Sequence, residues 1–328
     1  MATATRSILR YPGSKARFVP FIEETIRLNK YKFDVFCEPF CGGASVSISL
    51  LERGIVDTIA LNDADPLVSS LWDTVFSPIY GEWLADQVKK IPFSLAEWDY
   101  QKSLIPTSPR EAALKCLFLN RTSFNGILYH SGPVGGRNQE KRTLDARFNR
   151  EKIADRIIEL SKLSDRVVSV SNNDWKSFSD RINKKYLAFF YFDPPYYHKA
   201  ETLYGYYFVS EDHIKLNKYL AGFPAKWILS YDDVPEIRDI YRCYKNRTRV
   251  IDNTYSAHPI GGTSRVGREL FFTNLLELPC PGFKDGKHIA ISVKETNPID
   301  SNSENKQEYR IAYSRSAHML VNDKGVAL

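Results

Sequence analysis

Long apolar runs are missing from this 328-residue sequence. No stretch reaches the ~18 uninterrupted apolar residues that a spanning helix needs, so a membrane role is not expected. The opening MATATRSILRYPGSK has no apolar core of signal-peptide length, and a cytoplasmic protein is the expectation. Cysteines number five (Cys37, Cys41, Cys116, Cys243 and Cys280), an odd and widely spaced set. They form no CxxC pair and no Cys/His cluster at zinc-ligand spacing, which points to reduced thiols and away from a metal site. A GxGxxG string is also absent, and that disfavours a dinucleotide site. No repeat is evident. With 43% hydrophobic and 26% charged residues, the chain is not of the disordered class.

What is present is an alternation of short apolar runs and helical patterns at both ends of the chain. Phe33–Phe36 runs into Glu-Pro-Phe-Cys-Gly-Gly. Ala44–Arg53 then reads as a helix, Asp57–Leu61 as a strand ending at Asn62-Asp63, and Asp65–Val75 as a helix again. Between about Phe76 and Leu163 the strand signal lapses. That stretch reads as helices broken at Pro78, Pro92, Pro106 and Pro109, with a glycine-rich loop at Asn125–Arg137. Strands resume at Val167–Val170, at the near-continuous apolar run Tyr186–Phe192, at Lys226–Tyr231 and at Glu269–Leu275. The expectation is an α/β fold with a mostly parallel sheet, helices on both faces and a mainly helical insertion. The boundaries expected are 1–75 with 164–285 for the sheet domain, 76–163 for the insertion and 286–328 for a polar tail.

Ligands of such sheets bind at the C-terminal strand edges, where Glu38–Gly43, Asn62-Asp63 and Asp193–Tyr196 fall together. Glycines at Gly42 and Gly43 allow close backbone approach, and an acid at the next strand end, Asp63, suits ribose hydroxyls. The string Asp193-Pro194-Pro195-Tyr196 has a distinct chemistry. Its prolines lack N–H groups, so the Asp193 carboxylate and the Pro194 carbonyl form an acceptor-only corner, with the Tyr196 ring beside it. Such a corner fits an amino group on a planar base. Accepting both its protons favours a more pyramidal nitrogen and turns its lone pair toward an electrophile.

The net charge of +6 suits a polyanionic partner. The excess gathers in two windows. Arg121–Arg156 carries eight basic residues against four acids, and Arg238–Arg268 seven against two. These read equally as solvated surfaces or as faces for nucleic acid.

In chain order the motifs are RYPGSK (10–15), FCEPFCGG (36–43), LNDAD (61–65), NRTSFNG (120–126) and DPPY (193–196). Together they resemble the Dam-like (α-group) adenine-N6 DNA methyltransferases, over roughly residues 6–276. The resemblance implies a Rossmann-like sheet that uses S-adenosylmethionine without a metal, and an inserted DNA-recognition domain. It implies cofactor contacts at Tyr11, Gly13, Lys15, Glu38, Pro39, Phe40, Gly42, Gly43, Asp63 and Asp174. It places catalysis at Asp193, Pro194, Pro195 and Tyr196, acting on an adenine flipped out of duplex DNA. For DNA contact it points to Arg121 and Asn125, with Tyr129 and Arg137 further along the loop. Arg and Asn carry donors suited to guanine and adenine edges respectively. Phe124 fits a core position equally well. After Asn125-Gly126 the chain departs from the best-known members, so a GATC target is not implied. Gly132–Arg137 is a candidate hairpin tip for a groove. A cognate restriction endonuclease is a further expected partner. The corner also tolerates cytosine N4, RNA adenine or a protein glutamine as acceptor, and a non-catalytic DNA-binding subunit is the alternative from another class.

Overall fold

Each strand–turn–helix unit forms where the hydrophobic period changes. In the computed structural model, which describes residues 7–11, 13–140, 142–198, 205–254 and 266–279 and the strand pairs 283–284, 287–288 and 293–294, the first unit is β1 (Val35–Glu38), α2 (Ser45–Glu52) and β2 (Ile59–Asn62). It follows α1 (Val19–Asn29). Next come α3 (Pro66–Val75), α4 (Pro78–Lys90), α5 (Leu95–Ser103), α6 (Pro109–Thr122) and α7 (Arg150–Ser161). The α/β pattern then returns with β3 (Val167–Ser171), α8 (Trp175–Lys185) and β4 (Ala188–Phe192).

The chain divides into two units, residues 1–23 with 32–208 and residues 24–31 with 209–328. In the first, four parallel strands lie in the order β4-β1-β2-β3. This is the opening order of a doubly wound, Rossmann-like sheet, and β1 and β4 flank its switch point. All residues of β1, β2 and β4 are buried, as strands covered on both faces must be. β3, at the margin of these four strands, is only half-buried.

The helical stretch starts its helices by a repeated device. Ser77, Ser94 and Ser108 cap α4, α5 and α6 by accepting the amides of Tyr80, Glu97 and Glu111. Pro78 and Pro109 occupy first helical turns, where a missing N–H costs nothing. Of the four prolines that break the sequence pattern, Pro78 and Pro109 are therefore helix starts, while Pro92 and Pro106 lie in the loops between helices. The stretch expected as the 76–163 insertion packs on the helices next to it. α6 packs on α3, α7 packs on α4, and Arg156 of α7 forks onto Glu52 of α2 at 2.5 and 2.9 Å.

The second unit holds α9 (Ser210–Gly222), β5 (Lys226–Asp232), α10 (Pro235–Ile240), β6 (Thr248–Thr254) and β7 (Val266–Thr273). β7 runs antiparallel to both β5 and β6. The parallel expectation thus applies to the first unit alone, and β6 is a strand the sequence pattern did not mark. Of the stretch expected as a tail, 286–328, only 287–288 and 293–294 are among the described residues. Both are short strands, and Val293–Lys294 pairs with Val250 and Ile251. Among the described residues no helix is long and apolar enough to cross a membrane.

Candidate active site

The register of the parallel strands brings four loops to one sheet edge. Cys37 lies opposite Phe190, Glu38 opposite Leu61, and Asn62 opposite Ser171. Glu38–Gly43, Asp63–Asp65, Asn172–Asp174 and Asp193–Tyr196 therefore all leave their strands on the same side. Asn62, 1% exposed, pins these loops together. Its amide donates to the carbonyls of Pro39 (3.0 Å) and Asn173 (2.9 Å), and its oxygen accepts from the Ser171 hydroxyl and the Asn173 amide.

The glycine turn is built around an aromatic ring. Gly42 has φ +43, and a Cβ there would fall 2.6 Å from Tyr11 Cε1. On Gly43 a Cβ would lie 3.0 Å from the Tyr11 Cβ. These glycines admit Tyr11, where the sequence suggested approach to a ligand. The turn is fixed from three directions. Gly42 N–H donates to Asp63 Oδ2 (2.8 Å), Trp72 Nε1 donates to the Gly42 carbonyl (2.7 Å), and Cys41 N–H donates to the Asn62 carbonyl (2.9 Å). Phe40 meets the rings of Trp175, Phe192 and Phe208, with centroids 6.2, 6.4 and 5.5 Å away.

Glu38, Asp63 and Asp65 are all buried here. Glu38 accepts from the Ser47 amide at 2.5 Å. Burial pushes its carboxyl up to about 8, opposed by the bonds from Ser47 and reinforced by Asp193 and Asp63. Asp63 accepts from the amides of Gly42 and Asp65, and burial followed by repulsion from Asp65 pushes it up to about 7. Desolvation thus opposes a charge on both groups, and a cationic ligand would favour ionisation. Asp174 sits at the adjacent edge, exposed. It caps α8 by accepting the amides of Lys176 and Ser177.

At the end of β4, Lys15 joins the amino terminus to the Asp193–Tyr196 corner. Its Nζ lies 2.8 Å from Asp193 Oδ1, donates to Tyr196 Oη (3.3 Å) and to the Gly13 carbonyl (3.2 Å), and stands 4.8 Å from the Tyr196 ring centroid. Lys15 is 4% exposed, and a lysine so buried needs a counter-charge. Gly13, at φ +76, turns the chain toward it. Pro194 is buried and Pro195 half-buried. Sequence reasoning gave Lys15 to the cofactor loop and did not foresee this pairing with Asp193. It also missed the roles of Asn62, Trp72 and Trp175.

The four residues expected at DNA have different settings. Arg121 is half-buried. Its Nε donates to the Ile8 carbonyl (2.6 Å) and its Nη1 to the Arg147 carbonyl (3.5 Å). Burial, with Arg10 nearby, lowers it to about 10. Neighbouring Asn120 clasps the backbone of Arg10 and the carbonyl of Gly126. Asn125 is exposed at φ +55, and Phe124 is 62% exposed, which settles its open assignment against the core. Tyr129 Oη donates to Asp65 Oδ1 (2.7 Å). Arg137 is exposed, 2.7 Å from Asp99 Oδ2 and 5.4 Å from the Trp98 ring centroid. Gly132–Val134 does run antiparallel to Thr122–Phe124 through a single bridge, Ser123 to Pro133.

The basic windows are largely engaged within the fold. Arg150 donates to the Lys89 carbonyl, Arg156 holds Glu52 and Glu159, Arg238 and Arg268 share Asp233, and Arg242 pairs with Asp239. Lys141 and 255–265, which includes Arg265, lie outside the described residues. Among the described residues no group of three or more His, Cys, Asp or Glu side chains is placed to hold a metal.

Comparison with known proteins accords with this arrangement. No curated protein sequence matches the chain significantly. Among solved structures, the rRNA methyltransferase aviRa from Streptomyces viridochromogenes aligns at 11% identity over 83% of this chain and 90% of that one, with a TM-score of 0.36. So loose a likeness carries no argument. The family model for D12 class N6 adenine-specific DNA methyltransferases, in contrast, matches residues 11–254, which run from Tyr11 through the Asp193–Tyr196 corner to the end of β6. The chain belongs to the D12 class of N6 adenine-specific DNA methyltransferases.

Proposed function

We propose that this chain methylates the N6 amine of adenine in duplex DNA by direct transfer, with the target base turned out of the helix into the Asp193–Tyr196 corner. The observation that carries the reading is the convergence of that corner with Glu38–Gly43 across the β1/β4 switch point. S-adenosylmethionine, the donor its family implies, supplies a methyl group already activated on a sulfonium. The residues present fit it. Glu38 and Asp63 are buried acids that a cationic ligand with hydroxyl donors would relieve. Tyr11, Gly13, Pro39, Phe40, Gly42 and Gly43 would shape the rest of its seat, and Asp174 would lie toward its adenine.

The chain's own contribution is positioning. Asp193 accepts one N–H of the target amine and the Pro194 carbonyl accepts the other, which withdraws the lone pair from the ring. Lys15 holds Asp193 Oδ1 by an ion pair, which fixes the carboxylate in place as an acceptor. Tyr196 provides the face against which the base rests, and Pro195 keeps the corner rigid. One N–C bond forms as one S–C bond breaks, and the surplus amine proton passes to solvent. A sulfonium is activated without a Lewis acid, so no metal is required. Such catalysis is orientation and preorganised polarity.

On the DNA side, Asn125 and Arg137 are the exposed candidates for contact. Arg121 and Tyr129 are bonded inward and act by shaping the loop. The biological role that suits a site-specific enzyme of this kind is protection of cytoplasmic DNA against a cognate restriction endonuclease. The test is incubation with methyl-labelled cofactor and duplex DNA, single-stranded DNA or RNA, followed by nucleoside digestion. N6-methyladenine in duplex DNA supports the proposal. Label confined to cytosine or to RNA refutes it.

A further inference from the structure

The loop expected to face DNA is joined to the cofactor-side acids through a single hydroxyl. Tyr129 Oη donates to Asp65 Oδ1 at 2.7 Å. The same Asp65 oxygen caps α3 by accepting the Leu67 amide at 2.9 Å. The Asp65 backbone N–H in turn donates to Asp63 Oδ1 (3.0 Å), whose other oxygen accepts from Gly42 N–H (2.8 Å). A path of hydrogen bonds, carried across Asp65 by its own side chain and backbone, therefore leads from the loop to the glycine turn. The loop end of this run is also held. Lys102 Nζ donates to the carbonyls of Leu128 (2.7 Å) and Tyr129 (2.8 Å). On the ring side, Gly205 lies so close that a Cβ there would fall 2.3 Å from Tyr129 Cε2. Tyr129 is thus the point where the recognition loop, the Asp63–Asp65 loop and the chain beyond the catalytic corner touch.

We infer that Tyr129 is a positioning residue that couples DNA binding to cofactor binding. Contacts of DNA with the loop secure the Tyr129 hydroxyl on Asp65, and Asp65 through its amide keeps the Asp63 carboxylate in place at the glycine turn. Coupling of this kind is reciprocal, so bound cofactor strengthens DNA binding by the same factor. The inference rests on the methyltransferase reading above.

The test measures the affinity for S-adenosylhomocysteine, which cannot transfer a methyl group, with and without sheared unmethylated DNA of several kilobases. The wild-type chain should bind it at least about fivefold tighter with DNA, within the usual range of coupling. In Tyr129→Phe, which keeps the ring against Gly205, that ratio should fall to near one. Asp65→Asn, which leaves Tyr129 intact and retains a carbonyl acceptor and the helix cap, should keep most of the ratio, which a general loosening of the fold would not do. An unchanged ratio in Tyr129→Phe, or a ratio of one in the wild type, overturns the coupling while leaving the methyltransferase reading intact. Failure of the wild type to bind either ligand overturns both.

Discussion

Replacement of Glu38 by Gln should stabilise the cofactor-free protein at pH 8 while abolishing its response to cofactor. The Glu38 carboxyl is pushed from the ordinary 4.5 up to about 8, chiefly by burial. The folded chain therefore binds this proton more tightly than the unfolded chain does. Its contribution to stability is fully present below about pH 4.5 and is lost as pH rises toward 8, because only the unfolded form ionises freely there. At ~1.4 kcal/mol per pH unit, the loss between pH 5 and pH 8 is about 4 kcal/mol as an upper bound. Gln does not titrate and keeps an oxygen for the Ser47 amide. The gap in melting temperature between variant and wild type should thus widen from pH 5 to pH 8, by at most about 8 °C at ~2 °C per kcal/mol for a chain of this size. Tryptophan fluorescence suits the assay, since Trp72, Trp83, Trp98 and Trp175 all lie in the unit that contains Glu38. Saturating S-adenosylmethionine should raise the wild-type melting point and leave the variant's unmoved, a gain of about 2.7 kcal/mol at a hundred times Kd. A gap that stays constant across pH, or a variant less stable at pH 8, would refute the reasoning about this buried acid.

Other consequences follow from the same contacts. Asp193→Ala should reduce turnover at least a hundredfold while cofactor affinity, read by calorimetry, changes little. Gly42→Ala should destabilise by about 1–3 kcal/mol, because the new Cβ meets the Tyr11 ring at a positive φ. Much of that loss should vanish when Tyr11→Ala is added, as a double-mutant cycle in chemical denaturation would reveal. Duplex affinity should weaken with salt, but with a modest slope of about −0.9 per phosphate contacted, since so many of the basic side chains are already paired. Arg137→Ala should leave the melting temperature nearly unchanged, its bond to Asp99 being exposed, and should weaken duplex binding in a filter assay.

The sequence carried the local parts of this picture. The shift from alternating to helical period around Glu38–Gly43 and again at Asp63–Asp65 marked two strand edges, and the apolar run before Asp193 marked a central strand. What depends on distant pairing was not legible. Lys15 and Tyr196 are 181 residues apart, and nothing near either one announces their contact. The direction of β7 was hidden because ELFFTN reads alike in either orientation. β6 was missed because Arg249, Asp252 and Asn253 break its apolar pattern, and ladder bonds to β7 override that weak propensity. The partners of the basic windows were hidden in a similar way. Composition counts Arg150, Arg156 and Arg238 as free charge, whereas each is bound to a carbonyl or carboxylate of its own unit.

The most direct measurement is the site of the transferred methyl group. After reaction of the purified chain with unmethylated duplex DNA and S-adenosylmethionine, mass spectrometry of the digested nucleosides should show N6-methyladenine, and Asp193→Ala should show none. Methylated cytosine in its place, or N6-methyladenine at wild-type yield from Asp193→Ala, would contradict the account.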